Sequence, residues 1–330
     1  VTDDPLFSVI IDNYNYGEFL EACIESALGQ TCTKLEVIVV DDGSSDSSRE
    51  IISAYGPRIR AILQPNGGQA AAFSAGVAVA RGAYIGFLDA DDVWHRTKVE
   101  TVLAAFAARP QARWLRHRLE VTDAALRPTG TPVPRIRTAR LARPDPYAFA
   151  EGCVMAPSSA IVLDRRLAER VFPLPLPAPG SAVDMRYDAD AFILQRAAST
   201  GAPFLSIPDV LGYYRRHDRQ RYFAVPDMLP QLERQIEVAI GASALLQRRP
   251  PSTVYKHRVV VAALRGTPLL HRERLGTALL GMRQVAALAL VRPRLGARQG
   301  AALALATIAP RYWVRRLIRQ QAFAREPADG

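Results

Sequence analysis

Three short acidic clusters set the chemistry open to this chain: Asp12-Asn13-Tyr14-Asn15, Asp41-Asp42-Gly43-Ser44 and Asp89-Ala90-Asp91-Asp92. Each follows an apolar run rich in Val, Ile, Leu or Phe, as a turn follows a buried strand. In an open α/β sheet ligands bind beyond the carboxyl ends of the strands, so the three clusters are expected to face one crevice. Six carboxylates at one edge repel each other and resist burial unless a cation or ligand shares the site.

The elements that must position these clusters follow from periodicity. Residues 7–12 and 35–40 read as buried parallel strands. Between them Phe19, Leu20, Cys23, Ile24, Ala27 and Leu28 form one helical face, with Gly29 as the stop. A helix capped near Asp46-Ser47-Ser48 runs to about Tyr55, strand 59–63 follows, then a helix of small residues from about Gly68 to Arg81, and strand 83–88. This alternation predicts an α/β fold: a mostly parallel sheet with helices on both faces. The second half is less regular, with strands expected over 112–122, 157–163 and 204–216, a helix near 188–200, and a Pro- and Arg-rich loop over 128–146. After Pro226 the chain reads as almost wholly helical, broken at Pro250-Pro251, Pro268, Pro293 and Pro310. The organisation expected is a first domain over 1–225, in two halves at about 6–110 and about 111–225, followed by a basic helical region over 226–330.

The stretches SVIIDNYNYGEFLEACIESALGQ, EVIVVDDGSSDSS, NGGQAAAFSAG and ARGAYIGFLDADD resemble, in order and spacing, the N-terminal half of a family 2 glycosyltransferase with the A-type nucleotide-sugar-binding fold. The likeness is close over about 6–100 and looser to about 220, and it implies that 1–225 is the catalytic domain, with the nucleotide-binding half at about 6–110 and the acceptor half at about 111–225. It implies an inverting transfer from a nucleotide-sugar donor to a saccharide or lipid-linked acceptor, in the synthesis of cell-surface polysaccharide or glycoconjugates. By this resemblance Asp91 ligates Mg²⁺ or Mn²⁺ on the donor diphosphate, and Asp89 lies near the ribose or the metal. Tyr14 stacks on the base, Asp42 accepts a hydrogen bond from it, and Asp41 and Gln69 contribute to the nucleotide pocket. Asp12 stands where the family more often has Pro or Thr, and is placed with the donor-binding group. A UDP- or dTDP-sugar suits Asp42, because a pyrimidine imide N–H can donate to a carboxylate; guanine offers an N–H too.

An inverting transfer needs a base for the acceptor hydroxyl. The resemblance places it in Asp184-Met185-Arg186-Tyr187-Asp188-Ala189-Asp190, a segment without the family's frequent Glu-Asp pair; Asp190 is the first choice, then Asp188, then Asp184. Tyr213-Tyr214-Arg215-Arg216-His217 is similar to the family's Tyr-Arg-x-His strand ending, so Arg215 is expected on phosphate and His217 on the metal or the diphosphate.

The formal net charge of +10 hides a division. Residues 1–100 carry seven Lys or Arg against fifteen Asp or Glu, a net of −8; the rest of the chain carries +18. Arg clusters near 248, 272, 292 and 315, next to apolar stretches and Trp313, suit a helix lying in an anionic membrane interface; contact with the catalytic domain or a second subunit is the other use for such helices. No apolar run reaches the roughly 18 residues of a bilayer span, no signal-peptide pattern is read, and three cysteines without metal spacing fit a reduced compartment. The expected location is therefore cytoplasmic and peripheral on the inner membrane face. Of the rival classes, a sugar nucleotidyltransferase usually carries a Gly-rich, basic phosphate loop where this chain has Asn13-Tyr14-Asn15-Tyr16-Gly17. A nucleic-acid-binding protein matches the pI near 9.9, but charge alone gives only non-specific affinity, and no recognition motif accompanies it. Intact Asp89 and Asp91 argue against an inactive scaffold.

Overall fold

The computed structural model describes residues 6–130, 132–143, 156–174 and 189–217, and further on residues 255, 258, 259, 262, 277–283, 285, 286, 300–304 and 306. The described residues up to His217 belong to one compact unit and those beyond it to a second.

The first unit begins as the periodicity predicts. Strand β1 (Phe7–Asn13) leads into α1 (Gly17–Leu28), β2 (Leu35–Asp41), α2 (Ser48–Ala54), β3 (Arg60–Leu63), α3 (Gln69–Val79) and β4 (Tyr84–Asp89). All pairings among β1 to β4 are parallel, in the order β3-β2-β1-β4. Strands β1, β2 and β4 are buried along most of their length, which is why each reads as a continuous apolar run rather than an alternation, whereas β3 at the sheet edge is largely exposed. Val9 and Ile11 of β1 and Val37 and Val39 of β2 pack with Leu20, Cys23 and Ile24 of α1 and with Ile52 of α2. Ile10 points the other way, against α3, where a Cβ on Gly76 would lie 2.4 Å from Ile10 Cγ2. Only glycine lets that helix lie so close to the sheet.

Past β4 the sheet becomes mixed. A short β5 (Val93–Trp94) is followed by α4 (Lys98–Ala108), β6 (Trp114–Thr122), β7 (Arg140–Ala142), β8 (Ile161–Asp164), α5 (Arg165–Val171), α6 (Ala189–Ser199) and β9 (Phe204–Arg215). Strand β8 runs antiparallel between β4 and β6, and β9 pairs parallel to β6. The sheet thus continues as β4-β8-β6-β9-β5, with β7 attached to β9. Three features differ from the sequence expectation. Residues 158–160 form a 3₁₀ turn ahead of β8, α4 and α5 are additional helices, and Arg140–Ala142 pairs with β9 inside a stretch read as loop. Three residues are too few to show a period, so only the neighbouring strand reveals β7.

In the second unit every described residue is helical. A Cβ on Gly281 would lie 2.8 Å from Tyr255 Cβ and 2.9 Å from Leu303 Cδ2, so these segments pack closely on one another. Leu279, Leu280 and Met282 are at least half exposed. Among the described residues no helix is long and apolar enough to cross a membrane.

Candidate functional site

Strand register brings the acidic clusters together. Asp12 is the partner of Asp89 across β1 and β4, and Asn13 is the partner of Asp41 across β1 and β2. All six carboxylates therefore stand at one edge, and the structure divides them into a pair and a quartet with different surroundings.

The pair is Asp41 and Asp42, both buried. Asp41 accepts from Asn13 Nδ2 (3.0 Å), Ser44 N (3.1 Å) and Arg49 Nε (3.0 Å), so its carboxylate fixes the turn after β2. Asp42 accepts from Gln64 Nε2 (2.7 Å), Gly67 N (2.9 Å) and Gly68 N (2.6 Å), tying the loop before α3 to the end of β2. Gly43 has φ +82°, and a Cβ there would meet Asn66 N at 2.7 Å. Both the left-handed backbone and the close approach require glycine. Tyr14 is 37% exposed, and the next residue, Asn15, is tied to this turn by accepting from Ser45 N at 2.8 Å through its side chain.

The quartet is Asp12, Asp89, Asp91 and Asp92. Carboxylate oxygens of Asp89, Asp91 and Asp92 lie within 4.8 Å of one another, on the turn that Asp92 N closes by donating to Asp89 O (3.0 Å). Burial and then the Asp91 charge push the Asp89 carboxyl up to about 7. Asp12 is raised well above the usual carboxylate range by burial and then by Asp89, and Asp92 by burial and then by Asp91. Asp12 Oδ1 and Asp92 Oδ2 are buried without a hydrogen-bond donor. Orphaned buried carboxylate oxygens facing like charge are what a bound divalent cation relieves, and an all-oxygen donor set fits Mg²⁺ or Mn²⁺.

Supporting groups surround the quartet. Gln69 Nε2, at the start of α3, donates to Asp89 Oδ1 (3.0 Å), as does Ser158 Oγ. His217 Nε2 lies 3.1 Å from Asp91 Oδ2, with its ring against Tyr16 and Phe19; it reaches the cluster through Asp91. The Arg215 backbone N–H donates to Asp92 Oδ1 (3.0 Å). Its guanidinium donates from Nε to Asp91 O (2.7 Å) and from Nη1 to Ala124 O (2.7 Å), over the Phe19 ring. That guanidinium is 124 residues from Asp91 in sequence, yet it braces the turn bearing the acidic cluster.

Beneath lies a group that sequence reasoning did not single out. Lys98, fully buried, donates from Nζ to Ser159 O (2.8 Å) and sits 3.1 Å from the centre of the Trp94 ring. Ser159 Oγ accepts from Asp89 N (3.0 Å). Burial holds the Lys98 ammonium well below its ordinary range, against the opposing pull of Asp92 and Asp89. A lysine on the apolar face of a helix, beside Val99 and Val102, was the available sequence signal. Asp190 opens α6 and is partly buried; Asp188 and Asp184 lie outside the described residues.

Comparison with known proteins agrees with this geometry. The sequence profile of Glycosyl transferase family 2 matches residues 8–155. An uncharacterized glycosyltransferase, alr2836, of Nostoc sp. is 30% identical over 243 residues, which is 71% of each chain. The chain belongs to glycosyltransferase family 2. This glycosyltransferase also shares its fold with S. aureus TarS 1-349, solved in complex with UDP-GlcNAc (TM-score 0.58, 15% identity, 95% of this chain and 92% of that one). A second fold neighbour is the mannosyltransferase PcManGT from Pyrobaculum calidifontis, in complex with GDP-Man and Mn²⁺ (TM-score 0.51, 19% identity, 94% and 88% of the two chains).

Proposed function

We propose that this glycosyltransferase is metal-dependent and inverting, and moves a hexose from a nucleotide-sugar donor to a saccharide or lipid-linked acceptor. The observation that carries the proposal is the Asp89, Asp91 and Asp92 cluster, with oxygens within 4.8 Å at the carboxyl edge of a nucleotide-binding sheet. These residues would hold Mg²⁺ or Mn²⁺, with Asp12 alongside and His217 orienting Asp91. The ion's contribution is Lewis-acid neutralisation of charge on the departing nucleotide diphosphate. Mn²⁺ and a nucleotide sugar are both bound by a fold neighbour, which supports the reading.

The chain's own residues supply the rest. Tyr14, 37% exposed, would stack on the base, and Asp42, besides the three donors it already holds, would accept from a pyrimidine imide N–H, which favours UDP- or dTDP-sugars. Gln69, bonded to Asp89, and Asp41, bonded to the turn after β2, would contribute to the nucleotide pocket. Asp190, with Asp188 as the alternative, takes the proton from the acceptor hydroxyl as its oxygen bonds to the anomeric carbon. The bond from that carbon to the diphosphate oxygen breaks on the opposite side, so the configuration inverts. The exposed Leu279, Leu280 and Met282 and the Arg-rich sequence around them support peripheral attachment to an anionic membrane, where a lipid-linked acceptor would be presented.

The test is donor turnover with and without Mn²⁺, in the native chain and in Asp91→Ala. The substitution is expected to abolish transfer and weaken donor binding while the fold persists. Full activity in excess chelator, or in the variant, would remove the metal from the mechanism.

A further inference from the structure

The opposite edge of the same sheet carries a second concentration of charge, of the other sign. Here β1, β2, β4 and β6 begin and the antiparallel β8 ends. Residues just outside these strands line a cleft of about 580 Å³ that includes Lys34, Arg81, Arg113, Asp164, Arg165 and Arg166. The strands are consecutive in the order β2-β1-β4-β8-β6, so at about 4.8 Å per strand the cations spread over about 19 Å.

Three of the five cations have structural duties that set the walls. Arg113 pairs with Asp164 at 3.2 Å, and Arg81 with Glu36 at 3.4 Å. Arg165 donates to Ala80 O (2.9 Å) and Gly82 O (2.6 Å), fixing the turn between α3 and β4. Carbonyl partners leave the Arg165 charge uncompensated. Lys34 and Arg166 are exposed, and among the described residues neither joins an ion pair. Three net positive charges thus converge on a concave surface far from the acidic crevice, and the folding of this domain accounts for only one of them.

We propose that this cleft is an anion-binding site for phosphate-bearing ligands, separate from the donor site. Guanidinium forks match phosphate oxygens in pairs, and Lys34 adds a mobile point charge. A concave row of cations fits several linked phosphate groups better than one isolated ion. The same chemistry is offered by a soluble oligophosphate and by anionic lipid headgroups.

The test uses the full chain in metal-free buffer at low salt, where the acidic crevice repels anions. Inorganic tripolyphosphate is titrated calorimetrically, and vesicles of phosphatidylglycerol or of phosphatidylcholine are co-sedimented in a parallel arm. Native protein is compared with Lys34→Ala/Arg166→Ala and with each single variant, all at exposed positions that leave the wall-forming bonds intact. The double substitution is expected to weaken binding of the active probe by about tenfold or more, with melting temperature and Mn²⁺ binding unchanged. Loss of tripolyphosphate binding identifies a soluble ligand, and loss confined to phosphatidylglycerol vesicles identifies a lipid headgroup. If the double variant weakens binding of neither probe, the site does not exist.

Discussion

Replacing Asp89 by Asn should stabilise the metal-free protein while destroying its capacity for metal. The Asp89 carboxyl moves from 3.8 in an unfolded chain to about 7 in the folded one. The folded state therefore holds a proton that the unfolded state has released, and stability falls as pH rises between these values. At about 1.4 kcal/mol per pH unit, the accumulated cost is up to about 4 kcal/mol above pH 7 and about 1.5 kcal/mol at pH 5. Asparagine removes this cost without disturbing the neighbours, because its Oδ1 still accepts from Gln69 and Ser158 and its amide can donate to the orphaned Asp12 Oδ1. At roughly 2–4 °C per kcal/mol, the variant should melt on the order of 10 °C higher than the native protein at pH 8 in chelator, and by much less at pH 5. Saturating Mn²⁺ should narrow or reverse the difference, since a ligand at a hundred times its Kd adds about 2.7 kcal/mol to the native chain alone. Differential scanning fluorimetry across pH, with chelator and with Mn²⁺, measures all of this. A gain no larger at pH 8 than at pH 5, or a native protein that melts higher in chelator at pH 8, would refute the electrostatic account.

Two further substitutions probe the supporting structure. Asp42→Asn turns an amide toward one of the three donors that the carboxylate now satisfies, which should cost about 2–3 kcal/mol and lower the melting temperature by roughly 5–10 °C. Unchanged melting would mean that the loop at 64–68 is held by something else. His217→Ala should weaken Mn²⁺ binding about tenfold, as loss of a residue orienting a ligand does, and calorimetry showing native affinity would exclude both a ligand and an orienting role.

How far the sequence reveals this site depends on the distance over which its parts act. The acidic clusters were legible because a parallel sheet converts the ends of apolar runs into one edge, and register then pairs Asp12 with Asp89. Asp92 stood in the same motif, but its membership of the cluster follows from the turn geometry at Asp89 to Asp92, which no spacing rule supplies. Ser158, Ser159 and Lys98 were hidden for another reason. The two serines reach Asp89 across 69 and 70 residues, through a strand whose antiparallel insertion between β4 and β6 breaks the βαβ rhythm. Lys98 shares the apolar face of its helix with Val102, a weak signal by itself, and the packing of Trp94 and Ser159 over it shows that it is buried. Arg215 was recognised as important, but its carbonyl partners at Asp91 and Ala124 emerge only from the fold.

Strand β1 has a consequence for donor choice. It is bonded on one side to the strand ending in Asp41 and Asp42 and on the other to the strand ending in Asp89. On the proposed reading, the group that meets the base and the group that meets the diphosphate are then two strand spacings apart, about 10 Å. Backbone hydrogen bonding fixes that span, so β1 works as a ruler cut to the length of a nucleoside diphosphate. Side-chain changes elsewhere leave that measure as it is, whereas a slip of β1 by one residue would move Asp12 and Asn13 each to the other face of the sheet and disable both ends at once.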